Sequence, residues 1–78
     1  MHVEKINKIV TGNLPVATAA NTIMWHCTIS RITYLFHKCL YPYTDIFDKI
    51  ADRFNLDYET ENLGVNSLLI TFFEAEKN

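Results

Sequence analysis

With two glycines and two prolines in 78 residues, the chain has few points for sharp reversal and no glycine-rich loop of the kind that cradles phosphate. Two cysteines are too few for the disulfide framework that holds small secreted domains together, and they are not spaced as Cys-x-x-Cys. Seven lysines and arginines against nine acids give a net charge of −2 and a pI near 5.8, so counterion release from a nucleic-acid backbone has little to act on. From Ile9 to Ser30 there is no formal charge for 22 residues, about the length that crosses a bilayer. Gly12, Asn13, Pro15, Asn21, Thr22 and His26 interrupt that stretch, which argues against a membrane span.

What is present is mostly apolar. Hydrophobic residues make up 49% of the sequence and aromatics 13%, far above the composition of a disordered chain and consistent with a single domain over 1–78. Charge is unevenly spread. Residues 1–40 carry Lys5, Lys8, Arg31 and Lys38 against Glu4 (4 − 1 = +3), and residues 41–78 carry eight acids against Lys49, Arg53 and Lys77 (3 − 8 = −5). Such a split favours self-association or a partner with its own charge pattern.

Val3, Ile6 and Val10 recur at helical spacing and predict a short amphipathic helix ending near Gly12. Asn13 then suits an N-cap with Pro15 in the first turn, and no breaker follows until Tyr41-Pro42. This predicts one long central helix of about 25 residues, roughly 38 Å. On it, Trp25, Ile29, Ile32, Phe36, Cys39 and Leu40 form one apolar face, and Val16, Ala20, Ile23, Cys27 and Tyr34 form a second on the opposite side. A helix apolar on two sides is buried on two sides, which is the reason to expect a homo-oligomer or a bound protein partner. Thr44 caps a further helix from Asp45 to about Leu56, with Ile46, Phe47, Ile50 and Phe54 on its core face. Asp57 to Gly64 reads as an acidic loop, and the run from Val65 to Phe73 as a helix, with a buried strand as the alternative. The expected fold is therefore mainly α, a small helical bundle around one long helix, with α+β as the alternative.

Candidate sites are sparse. Cys27 and Cys39, twelve residues apart on one helix, would lie about 18 Å from each other and remain free thiols. With a start that lacks a charged-then-apolar signal pattern, they point to a reducing, cytoplasmic setting. His26 and Cys27 diverge by about 100° on a helix, so neither is a nucleophile activated by the other, and neither enzymatic activity nor a cofactor is expected. His37 with Asp48 and Asp52, the aspartates four apart, is a weak candidate for a divalent metal; a surface pairing of Asp48 with Lys49 or Arg53 is the simpler reading. The segment Ile50-Ala51-Asp52-Arg53-Phe54-Asn55-Leu56-Asp57-Tyr58-Glu59-Thr60 resembles the first half of a DNA-binding helix-turn-helix, a resemblance confined to about a dozen residues. The recognition half would present Asp57, Glu59 and Glu61 to a polyanion, so nucleic acid is disfavoured as a ligand. Ten aromatics exceed what so small a core can bury, and Tyr and Trp are the residue types that anchor interfaces. The expectation is a non-enzymatic interaction module, an adaptor, inhibitor or regulator of the kind phages and mobile elements encode. It would self-associate and bind through Met24, Trp25, Ile29, Ile32, Phe36, Tyr41 and Tyr43. A helix-turn-helix regulator and a small His/Asp metal-binding protein are the alternatives.

Overall fold

A computed structural model of the chain describes residues 2–14, 23–37 and 45–75. The order of elements is α1 (Val3–Gly12), β1 (Ile23–Cys27), β2 (Arg31–His37), α2 (Asp45–Phe54), β3 (Leu56–Asn62) and β4 (Ser67–Glu74). The four strands form one antiparallel sheet in the order β1-β2-β4-β3. The described elements thus run helix-strand-strand twice, and the second strand of each unit meets the other at the centre of the sheet.

The two short helices follow the spacing of their apolar residues. α1 buries Ile6 and Val10, packs Val3 and Ile9 beside them, and ends where Asn13 supplies both its backbone N–H and its side-chain amide to the Ile9 carbonyl. Asn13 therefore closes the first helix, and residues 15–22, where a second helix would begin, lie outside the described ones. α2 begins at Asp45 as the sequence predicts, with Asp45 and Asp48 at its positive end, and buries Ile46, Phe47 and Ile50. It stops at Phe54, because Asn55 adopts a left-handed conformation (φ 54°) that asparagine tolerates better than most residues. That single residue turns the chain directly from helix into β3.

The expected long central helix and the mainly α bundle built on it are overturned. Where that helix should run, Ile23–Cys27 and Arg31–His37 are strands joined by a tight turn, in which the Thr28 N–H donates to the Arg31 carbonyl (2.8 Å) and the Arg31 N–H to the Thr28 hydroxyl (3.1 Å). The physical reason lies in the two opposed apolar stripes. Residues that fall on opposite sides of a helix at 100° per residue also result from alternation at 180°, which is a strand in a sheet apolar on both faces. Ile32, Tyr34 and Phe36, which the helical projection divides between two faces, all point into one core. The C-terminal run is the strand alternative, with Leu68, Ile70 and Phe72 inward. The acidic segment read as a loop is β3, turned into β4 by Gly64 at φ 106° and closed by Leu63 N–H to Ser67 O (3.0 Å). The α+β alternative is the fold. Tyr41, Tyr43 and Thr44 lie outside the described residues.

Both helices cover the same face of the sheet, since Ile6, Val10, Ile46, Phe47 and Ile50 form one cluster with the inward residues of β2, β3 and β4. Phe72 stands at its centre, fully buried, with ring centroids of Tyr58, Phe47 and Tyr34 at 5.8, 6.1 and 6.2 Å. Phe36 closes the group against Phe47 at 5.3 Å. These tilted and edge-on contacts add to area burial more than a direct face-to-face sandwich would. No buried side-chain N or O atom among the described residues lacks a hydrogen-bond partner.

Candidate functional site

A sheet covered by helices on one face presents the other, and antiparallel pairing dictates which residues stand there. From β2 these are Arg31, Thr33, Leu35 and His37; from β4, Ser67, Leu69, Thr71 and Phe73; from β3, Asp57, Glu59 and Glu61. The register sets them in rows. Across β2, β4 and β3 the rows are Leu35–Leu69–Glu61, Thr33–Thr71–Glu59 and Arg31–Phe73–Asp57, with the β4 residue in the middle of each. The middle of this face is half-buried, and the two threonine hydroxyls share a hydrogen bond at 3.0 Å. That bond satisfies the central polar groups and leaves Leu35, Leu69 and Phe73 as the apolar part of the surface.

Electrostatics divides the face lengthwise. β3 contributes three carboxylates along one side, and Arg31 is the one lysine or arginine among these residues, so their formal balance is 1 − 3 = −2. Arg31 is itself engaged, 3.7 Å from Glu59 and with its guanidinium 5.2 Å from the Phe73 ring centroid. Being exposed, that pair is worth under about 1 kcal/mol, but it leaves Asp57 and Glu61 as the uncompensated charges of the strand. Between the carboxylates and the centre runs an open depression of about 300 Å³ lined by Glu59, Thr60, Glu61, Leu69 and Thr71. Its lining sets the carboxylates of Glu59 and Glu61 opposite Leu69 and Thr71, which suits the aliphatic stem and charged head of a lysine or arginine.

On the helical side the polar chemistry is structural. The Tyr34 hydroxyl donates to the Asn7 side-chain oxygen and ties β2 to α1; the Tyr58 hydroxyl donates to Asp48 (2.7 Å) and ties β3 to α2. Burial, with a smaller contribution from Cys27, raises the Tyr34 pKa well above its ordinary value, and the hydrogen bond to Asp48 raises that of Tyr58. Tyrosines in the unfolded chain ionise from about pH 10, whereas these two hold their protons in the fold, so the folded state binds more protons and stability falls as pH rises beyond that point. Calorimetric melting temperatures should accordingly stay level to about pH 9.5 and drop above it. Tyr34→Phe, with no proton to lose at that position, should show the shallower drop.

The residues singled out from the sequence do not form one surface. Ile32 and Phe36 are core residues, 0% and 1% exposed, while Ile29 is 91% exposed at the tip of the β1–β2 turn. Met24 and Trp25 lie in β1. His37 ends β2, whereas Asp48 and Asp52 are on α2, and among the described residues no three His, Cys, Asp or Glu side chains cluster as a metal site. The residues that would supply a recognition helix after Asn55 form β3 instead. Among the described residues no helix is long and apolar enough to cross a membrane. The acidic strand and its apolar neighbours escaped the sequence reading, although Asp57, Glu59 and Glu61 at alternate positions carry the period of a strand.

Fold and surface together define, among the described residues, a two-layer α+β domain with two helices on one face of a four-stranded antiparallel sheet and, on the other, an acid-flanked surface that mixes apolar residues with a threonine pair. No family model, curated protein or solved structure matches the chain.

Proposed function

We propose that this chain is a non-enzymatic protein-interaction module, an adaptor, inhibitor or regulator, whose contact surface is the open face of its sheet. The observation that supports this reading is that Leu35 and Leu69 on one side of the Thr33–Thr71 pair, and Phe73 on the other, stand beside Asp57, Glu59 and Glu61 on the same face. Apolar side chains bordered by a charged margin suit a protein interface, and the sign of the margin selects a partner that presents lysine or arginine beside apolar residues. Against a helix-turn-helix regulator stands the strand at Leu56–Asn62. A reducing, cytoplasmic setting fits the exposed free thiol of Cys27.

The reading is tested by capture from host lysate with three baits: wild type, the double variant Glu59→Lys/Glu61→Lys, and Lys5→Glu/Lys8→Glu on the exposed side of α1. Wild type and the α1 variant should retain the same protein, and the β3 variant should bind it at least about tenfold more weakly, with binding that weakens in salt. Equal capture by all three baits would remove the open face from consideration.

A further inference from the structure

The sheet has two outer edges, and the sequence treats them differently. β3 places three carboxylates, Asp57, Glu59 and Glu61, in seven residues. β1, Ile23-Met24-Trp25-His26-Cys27, contains no Asp, Glu, Lys or Arg. An outer edge exposes a row of N–H and C=O groups ready to pair with another strand, and charge on the edge is a principal means of preventing it. Pairing β3 with β3 of a second copy would bring six carboxylates together. No such barrier exists at β1, and among the described residues no strand pairs with its outer side.

We infer that β1 pairs antiparallel with β1 of a second copy of this chain. An antiparallel edge is complementary to itself. A twofold axis perpendicular to the sheet matches each donor of one strand to an acceptor of the other, and the same patch serves both copies. The bulge at Trp25, where β1 advances from Met24 to His26 while β2 advances one residue, increases the twist of this edge. It deflects the strand without giving its outward N–H and C=O groups a partner. Full overlap of the five-residue strands puts the axis at Trp25, with Ile23 opposite the partner's Cys27 and Met24 opposite the partner's His26. Among the described residues the product is a continuous eight-stranded sheet with the two helices of each copy on one side. The two acid-flanked faces then lie side by side on the other, so one dimer would offer two copies of the surface described above. The dimer does not depend on that surface binding anything, and either can fail alone.

Two measurements test the register and the edge. In sedimentation equilibrium at roughly 100 μM the wild type should be dimeric, and His26→Glu and His26→Lys should each raise the dissociation constant at least about tenfold, because each sets like charges diagonally about 7–8 Å apart across the axis. An equimolar mixture of the two variants should recover dimer, which loss of folding could not mimic. Second, in a Cys39→Ser background, Ile23→Cys should form a disulfide-linked dimer on mild oxidation. Positions 23 and 27 are about 13 Å apart along one strand, too far to bridge within a chain, so any bond between them joins two copies. The Cys39→Ser chain alone should form none, because its two Cys27 thiols lie at opposite ends of the paired segment. A monomeric wild type, or a dimer that survives both His26 variants and gives no Ile23→Cys cross-link, would overturn the inference.

Discussion

Ile32→Asp should leave the chain without a cooperative unfolding transition, whereas Ile29→Asp, three residues earlier, should melt at the wild-type temperature. On a helix the two positions share a stripe and their substitutions would act alike. In the sheet they have nothing in common: Ile32 is inaccessible to solvent beneath the helices, and Ile29 is 91% exposed in a turn. A carboxylate at position 32 loses the isoleucine's packing and has no cationic partner in a cluster built from apolar side chains and Tyr34. The combined cost, about 5 kcal/mol or more, is comparable to the roughly 4–12 kcal/mol expected for the whole domain. At position 29 nothing is displaced, and the change should stay within about 0.5 kcal/mol. Circular dichroism during urea titration reads both, and equal behaviour of the two variants would contradict the strand assignment of Arg31–His37.

Phe72→Ala should be the most damaging truncation. Its ring touches those of Tyr34, Phe47 and Tyr58 from three different elements, so its loss opens a void where β2, α2 and β3 converge on β4. Buried Phe→Ala substitutions cost about 3–5 kcal/mol, and surroundings anchored this widely have little freedom to collapse. Phe73→Ala, one residue on, removes a half-buried ring from the open face and should cost less than half as much. A reversal of that order in denaturant midpoints would mean that β4 pairs one residue out of the register described.

The two helices were legible in the sequence because each is apolar on one side only. Val3, Ile6 and Val10, and Ile46, Phe47 and Ile50, repeat with a helical period and nothing competes with it. The strands were hidden for two opposite reasons. In β2 the outward residue Leu35 is as apolar as inward Tyr34 and Phe36, and in β4 Leu69 and Phe73 are as apolar as Leu68, Ile70 and Phe72, so the alternation that Arg31, Thr33, His37, Ser67 and Thr71 carry is broken partway along each strand. In β3 the residues on the helical side include Thr60 and Asn62, so a strand polar on both sides read as a loop. The candidate surface was illegible for the same reason, since it exists only where β2, β3 and β4 are laid side by side, and no local pattern specifies which strands become neighbours. Ile32 and Phe36 looked like interface residues because the surplus of apolar groups was correctly noticed and then placed on the wrong geometry.

The meeting of β2 with β4 also governs how the chain reaches this arrangement. The β3–β4 hairpin is closed by neighbours a few residues apart, but the central pairs join residues separated by 73 − 31 = 42 positions at one end and 67 − 37 = 30 at the other. Loop closure of that length makes the central ladder the slow step of folding. On a ribosome adding about 5–20 residues per second, β2 would wait roughly two to eight seconds for its full partner to be synthesised, and Ile32, Tyr34 and Phe36 lack β4 until then. The newborn chain is thus at its stickiest midway through synthesis, at the edge that the finished domain conceals most completely.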